Sequence, residues 1–563
     1  MITVEDIRKK LQDDKLDALV ITHTNRFLGQ DILQDENKLF ELCGFSGSAG
    51  IAAITADKVY LLVDGRYELQ ARQETDSSSV TVVDMLPRLK NVCDLLCQNG
   101  ITSIGYNAWN HSVAEMEFIR RRYFDVKFVD VGENSKNEKL RTIKVLKRDI
   151  AFSGQNSRDK IEAVQNMLQE QKADYYLFTS ADSVSWLMNI YAHDLPYSPV
   201  VRAYALLGKD GNVKLFGDNL ETDLPSGNWD DFNTEIGRLG EVKLMYDGHN
   251  TPEKIKKLVA EDTKLIKAPD ICQLLKAEKN FTELQGMINC HIRDGVALSK
   301  FLCWLQDNYR GKTEYDIVRK LHEYRAKQDN FFSESFGTIA GFGSNGAIVH
   351  YQPDEKNSTL LTDDSLLLID SGAQYLDGTT DVTRTVVLGK PSTEMVRDFT
   401  NVLKAHIALA SAKFPIATSG VKLDILARSE LWQNGIDYKH GTGHGVACFG
   451  NVHEGPISIS AGGSDYGFKA NMITSDEPGI YRENQYGIRI ESLLYTAESK
   501  FAGYLEFNIL TKVPIDKRLI NKYMLSTGEQ TWLNDYHQNI YDCLAPYLDE
   551  KEKIWLKDAC SPL

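Results

Sequence analysis

The sequence predicts two related α/β domains followed by an α+β domain that ends in a helical tail. Three observations carry this. One order of elements, helix then strands, occurs twice in the first half; a long helical apolar period begins near residue 273; and the chain then becomes strand- and glycine-rich to about 512.

The first copy opens with VEDIRKKL, which places Ile7 and Leu11 on one helical face, and continues through the strands DALVIT, GIAAIT and KVYLLVDGRY. The second opens with Ile161, Val164 and Leu168 at helical spacing and continues through DYYLFT and AYALLGKDGNVKLFGD. Ile7 to Ile161 and Asp64 to Asp218 are both intervals of 154 residues, the mark of a diverged duplication. The domains are therefore drawn at 1–148 and 149–272. Asp64-Gly65-Arg66 in the first copy corresponds to Asp218-Asn219-Leu220 in the second, so the shared fold does not require Arg66. That leaves Arg66 as a surface ion pair or as a contact for substrate or subunit.

The third domain, 273–512, starts with Leu284, Ile288, Ile292 and Val296 spaced by four, followed by a helix opened by Thr313. The tail, 513–563, returns to helical spacing in QTWLNDYHQNIYDCL and EKIWLKDA. Its Trp532, Tyr536 and Trp555 are expected to pack on the tail's own domain or to face a second subunit.

With 42% apolar and 25% charged residues, the 563-residue chain has the composition of a folded globular protein too long for one core. A net charge of −15 repels nucleic acid and anionic lipid, and no stretch resembles a signal peptide or a membrane span, so a cytoplasmic protein is expected. Nine scattered cysteines fit reduced, mostly buried thiols, and Cys93 and Cys97, lacking a second pair, read as core rather than zinc ligands.

Chemistry concentrates in the third domain. In LLLIDSGAQYLDGTTDVTRTVVLG an apolar strand ends at Asp370, a turn falls at Asp377-Gly378, and a second strand begins around Asp381. Aspartate is disfavoured inside strands, and two carboxylates on adjacent strands that point into one space suit a cation. Downstream, HGTGHGVACFGNVHEGP holds His440, His444 and His453, but its glycines oppose a helix and the glutamate of HExxH is missing. Glu477 precedes a Pro-Gly turn, and Glu491 lies in the apolar strand GIRIES, where it must be paired or bound; an ion pair with Arg384 or Arg489 is the ordinary alternative.

Asp370, Asp381, His444, Glu477 and Glu491 make a hard, oxygen-dominated donor set that suits Mn²⁺, or Co²⁺ in its place, better than structural zinc. Two ions ~3.5–4 Å apart sharing a hydroxide would attack a carbonyl, so the reaction read from these residues is hydrolysis. Gly341-Phe-Gly343-Ser-Asn-Gly346 matches the dinucleotide-loop pattern, but AIVHY after it reads as a strand and not the required helix. Those glycines are expected to shape a loop that presents His350 toward the metals.

NGAIVHYQP, DSGAQYLDGTTDVTRT, HGTGHGVACFGNVHEGP, SDEPGIY and GIRIES resemble the motif series of the pita-bread metallopeptidases. Length and duplicated N-terminal domains, together with FSGSAG and DGRYELQA, are similar to the three-domain cytosolic aminopeptidase P branch. The resemblance implies two creatinase-like α/β domains, a pita-bread α+β catalytic domain and a helical C-terminal extension. It also implies two divalent ions held by Asp370, Asp381, His444, Glu477 and Glu491, most simply Mn²⁺ with Co²⁺ or Zn²⁺ as alternatives. Glu477 would shuttle a proton, His350 and His453 would hold the scissile bond and the oxyanion, Arg66 would contact substrate, and Arg489 would orient a ligand carboxylate beside the substrate site. The implied reaction is release of the first residue of a peptide with proline second, by a homodimer.

Two other readings share these motifs. A proline dipeptidase or methionine aminopeptidase could use the same five ligands but would not need two preceding α/β domains. A silent pita-bread binding protein would be expected to lose ligands and gain basic patches, and neither is seen here.

Overall fold

The structure, a computed structural model, describes residues 3–29, 31–132 and 141–563. The chain divides into two compact units: Met1–Ile150 with Gln155–Leu195 and Pro199–Cys272, and Ala151–Gly154 with Pro196–Ser198 and Gln273–Leu563.

The first unit holds the duplication as two six-stranded sheets of the same topology. One runs Thr81–Asp84, Val59–Val63, Ile51–Thr55, Ala18–Thr22, Ser103–Tyr106, Lys127–Asp130. The other runs Ser226–Gly227, Val213–Gly217, Ala203–Gly208, Tyr175–Phe178, Lys243–Tyr246, Lys264–Lys267. In each, the two inner pairings that follow the first strand are antiparallel and the outer ones parallel. Thr3 and Asp6 form a capping box for Val4–Asp14, whose Ile7 and Leu11 are buried; Asn156 caps the matching Ser157–Glu170. In that second helix Val164 and Leu168 are buried, whereas Ile161 is only half-buried.

The repeat-breaking arginine has a local partner. Arg66 donates from Nε to Asp64 Oδ1 at 2.9 Å and from Nη2 to Asp64 Oδ2 at 2.8 Å. Asp218, at the matching position, instead accepts from Trp229 Nε1 at 2.7 Å.

In the second unit, Ile339–Phe342, Ser365–Ser371 and Val382–Leu388 form an antiparallel three-stranded sheet. A six-stranded sheet runs Lys413–Pro415, Tyr504–Ile509, Ser492–Glu498, Ile473–Asp476, Gly443–Gly445, Glu454–Ile459. Its main core gathers Phe399, Val402 and Leu403 of helix Thr393–Ala410 with Leu423, Ala427 and Leu431 of Gly420–Trp432. The tail helix Thr527–Leu544 adds Leu533, Tyr536, Ile540 and Leu544 to this cluster, so the tail aromatics pack on their own domain.

Two expectations for this unit are corrected. The opening helix, Phe281–Asn308, exists and Thr313 caps the next one, but the buried face is rotated from the one read by spacing. Met287, Cys290, His291 and Asp294 are buried while Leu284, Ile288 and Ile292 are half-buried; of the four residues read by spacing, Val296 is buried as expected. Backbone approach sets the rotation: a Cβ on Gly286 would lie 2.2 Å from Asp377 O, and one on Gly295 would lie 2.5 Å from Lys512 O. Asp294 is also committed to a fully buried Arg325, Nε to Oδ1 at 2.9 Å.

The second correction concerns AIVHY, which is not a strand: the 3₁₀ segment Gly343–Ala347 ends on its alanine, and residues 348–350 continue as a bend and a turn. The glycines serve a three-way backbone contact. A Cβ on Gly341 would fall 2.7 Å from Gly346 Cα, and one on Gly487 would fall 1.7 Å from Gly346 O.

Among the described residues, no helix is long and apolar enough to cross a membrane. Among the described residues no disulfide joins the cysteines, and burial pushes the Cys93 thiol up to about 12.

Candidate metal centre

Strand register explains the spacing of the first two carboxylates. Asp370 sits opposite Thr383 in the pairing of Ser365–Ser371 with Val382–Leu388. Asp381 lies two residues before Thr383, so Asp370, Thr383 and Asp381 share one face of the hairpin. The ten residues between the aspartates hold a small side hairpin, Ala373–Tyr375 with Gly378–Thr379, and Asp377 lies in its turn.

Glu491 does not continue the strand read from GIRIES: it lies in the break between Tyr486–Arg489 and Ser492–Glu498, where its backbone turns against that face. Its backbone N–H donates to Thr383 O at 3.2 Å, and its Oε2 accepts from Thr383 Oγ1 at 2.8 Å. Neither arginine plays the ordinary ion-pair role for Glu491. Arg384 donates to the carbonyl oxygens of Thr383, Glu491 and Val513, while Arg489 donates to Asp370 Oδ2 at 2.6 Å.

His444 lies in the short strand Gly443–Gly445, wedged between its neighbours in the six-stranded sheet. The flanking glycines permit this, since a Cβ on Gly443 would meet Ser475 O at 2.0 Å and one on Gly445 would meet Glu454 O at 2.2 Å. His444 Nδ1 pairs with Gly445 O at 2.9 Å, which fixes its proton there and leaves Nε2 as a lone-pair donor. That Nε2 is 3.5 Å from Asp381 Oδ2 and 3.6 Å from Glu477 Oε1. Ser475 Oγ donates to Glu477 Oε1 at 3.2 Å and accepts the His444 N–H at 2.9 Å.

Donor atoms of Asp381, His444 and Glu491 lie within 4.8 Å of one another, close enough to share a cation. Burial pushes the Asp381 carboxyl well above the carboxylate range, and the charges of Asp370 and Glu477 add to it. Burial likewise raises Glu491, with Asp381, Asp370 and Glu477 adding, and raises Glu477, where His444 and Arg489 partly oppose it. Asp370 Oδ1 is buried with no hydrogen-bond partner. Crowded acids and an orphaned carboxylate oxygen fit a pair of divalent cations, whose four charges would offset the four ionised carboxylates.

Glu477 is the most open of these acids. Its side chain is 20% exposed, against 12% for Asp370 and 6% for Asp381.

Arg489 was expected both behind a ligand and beside the substrate; only the first matches its placement. It is fully buried and donates to Asp370, to Thr383 Oγ1 at 3.0 Å and to Tyr481 OH at 2.7 Å, so its fork is committed to protein acceptors. Tyr481 in turn lies 2.8 Å from His440 Nε2, giving a chain His440–Tyr481–Arg489–Asp370 behind the site. His453 is exposed, with its ring edge-on to His444 at 4.2 Å, and His350 is half-buried in the turn after the 3₁₀ segment. Arg66 belongs to the first unit, where it is held by Asp64. Sequence reasoning missed Thr383, Ser475 and Tyr481. Thr383 alone had a signal, its place two residues from Asp381 on the same strand face.

These features define a metallopeptidase, and the chain belongs to metallopeptidase family M24, whose family model matches residues 285–498. Models of the creatinase/prolidase N-terminal domain match 4–143 and 136–283, and one of the C-terminal region of peptidase M24 matches 503–563. Within the family it stands with the aminopeptidase P proteins. It is 36% identical to a probable Xaa-Pro aminopeptidase P of Coprinopsis cinerea, over 99% of this chain and 97% of that one. It is 34% identical to Xaa-Pro aminopeptidase 1 of Dictyostelium discoideum, over 100% and 96%. The crystal structure of X-prolyl aminopeptidase from Caenorhabditis elegans, described as a cytosolic enzyme with a di-nuclear active site, superposes with TM-score 0.92 at 31% identity, over 97% of this chain and 95% of that one.

Proposed function

We propose that the chain is an Xaa-Pro aminopeptidase that releases the N-terminal residue of peptides with proline second, using two divalent ions held by Asp370, Asp381, His444, Glu477 and Glu491. The observation that carries this reading is the convergence of Asp381, His444 and Glu491 within 4.8 Å, with Glu477 against His444. When bound, the ions supply Lewis acidity at the scissile carbonyl and a water acidic enough to ionise near neutral pH.

The chain's own residues do the rest. Glu477, raised by burial yet partly open, takes a proton at its carboxylate and passes one to the leaving nitrogen. The nitrogen of an Xaa-Pro bond is tertiary with no N–H of its own, and like any amide nitrogen it departs as an amine only after gaining a proton. His453, exposed with its ring beside His444, and His350 would donate hydrogen bonds to the carbonyl oxygen as it gains charge.

The oxygen-rich donor set favours Mn²⁺. Cytoplasmic location, as described for the nematode enzyme, and a homodimer complete the reading. The deciding assay offers an Xaa-Pro-Xaa tripeptide and an Xaa-Pro dipeptide to chelator-stripped protein reloaded with Mn²⁺, Co²⁺ or Zn²⁺. Release of the first residue from the tripeptide supports the reading, and cleavage of the dipeptide alone overturns it. Light scattering at graded concentrations tests the dimer.

A further inference from the structure

The tail helix reaches the metal-bearing strands through one buried cation. Arg384 is 2% exposed, and its hydrogen-bond partners among the described residues are neutral: Nε and Nη2 donate to Val513 O at 3.2 and 2.8 Å, Nη1 to Thr383 O at 2.8 Å and to Glu491 O at 2.5 Å, and Nη2 also to Ser492 Oγ at 3.4 Å. Its remaining bond runs from Nη2 to Tyr536 OH at 2.7 Å. Tyr536 donates its own hydrogen to Val513 O at 2.8 Å, so its hydroxyl is oriented with the lone pair toward the guanidinium.

Arg384 therefore ties the backbone of Glu491, and of Thr383 two residues from Asp381, to the start and the helix of the tail. A second contact runs from the same helix. Trp532 stacks on Tyr536 at 5.5 Å and meets His406 edge-on at 5.9 Å; His406 Nδ1 is 3.0 Å from Asp476 Oδ2, next to Glu477, with both side chains fully buried.

We propose that Tyr536 and Arg384 are positioning residues for the metal centre, holding the backbone that carries Asp381 and Glu491, so that the C-terminal helix sets metal affinity as well as covering the core. The proposal rests on the metal-site reading above. A buried guanidinium needs every acceptor, and losing one lets it re-aim toward another, pulling the carbonyl of a ligand residue with it.

The test titrates Mn²⁺ into chelator-stripped wild type, Y536F and W555F by calorimetry, with a metal-free melting curve and kcat and KM for each. Trp555 also anchors the tail, donating from Nε1 to Gln306 Oε1 at 2.9 Å, and makes no hydrogen bond to Arg384 among the described residues. Y536F is expected to weaken Mn²⁺ binding about tenfold and to lower kcat with KM held, while W555F leaves metal affinity unchanged. Unchanged Mn²⁺ affinity in Y536F, with only a lower melting temperature, overturns the proposal. Should Y536F not fold, W532L, which removes the stack on Tyr536, is titrated instead with the same expectation and the same overturning result. Wild type that binds no Mn²⁺, Co²⁺ or Zn²⁺ would sink the metal-site reading rather than this one.

Discussion

Arg489 donates to Asp370 Oδ2 at 2.6 Å, while Asp370 Oδ1 is buried with no hydrogen-bond partner. One oxygen is fixed by the protein and the other is left for an electrophile. The fork that does this also holds Thr383 and Tyr481, so a lysine cannot replace it. R489K is expected to lose about 10–100-fold in metal affinity or in kcat, as for other groups that orient a ligand from behind. Metal content after dialysis, measured beside kcat, checks this; full retention of both would contradict the role.

Glu477 is proposed to bind metal and to move the proton. E477Q keeps the shape but cannot accept a proton, so kcat should fall about 10²–10⁴-fold with a smaller change in KM. Equal loss in a variant that binds both ions normally would assign the effect to proton transfer, whereas unchanged kcat would remove Glu477 from the mechanism.

Burial and mutual repulsion raise Asp381, Glu477 and Glu491. Carboxyls raised in the folded state bind more protons there than in the unfolded chain, so without metal their contribution is full below the unfolded value and is lost as pH rises through the folded one. Metal binding must displace those protons and is favoured as pH rises. The increase in melting temperature on adding Mn²⁺ should therefore be larger at about pH 8 than at about pH 6. A metal-induced shift that is flat or larger at the lower pH would deny the crowding.

The carboxylates were legible in the sequence because each lies within or at the end of an apolar strand pattern, where a charge is penalised. The duplication was legible because an offset survives divergence, as Asp64 and Asp218 show. What the sequence hid depends on backbone approach. The rotation of Phe281–Asn308 follows from Gly286 lying on Asp377, and the turn after Gly341 follows from its packing on Gly346; spacing rules count side chains and miss such contacts. Thr383, Ser475 and Tyr481 are ordinary polar residues until strand register places them under ligands.

The glycine contact makes a stability prediction. A methyl at 487 would sit 1.7 Å from Gly346 O, inside the sheet that carries Arg489, so Gly487→Ala should cost at least about 3 kcal/mol. Gly462, with nothing within 4 Å, should accept alanine with a change of about 0.5 kcal/mol or less. Denaturant melts of the pair check this, and equal midpoints would refute it.

Behind His453, Glu454 carries two buried ammonium groups. Lys276 Nζ donates to Oε1 at 2.7 Å and Lys279 Nζ to Oε2, and none of the three side chains is more than 4% exposed. Removing the acid strands two positive charges, whereas removing Lys279 leaves a balanced pair of Lys276 with Glu454. E454Q should therefore cost about 3–5 kcal/mol, and K279M distinctly less, although both delete one charged group. Glu454 also pairs in register with Gly445, next to His444, so the E454Q protein that remains folded should show weakened metal binding as well. Denaturant unfolding ranks the two variants, and K279M proving the more damaging would mean that the cluster is held by packing of the lysine stems rather than by charge balance.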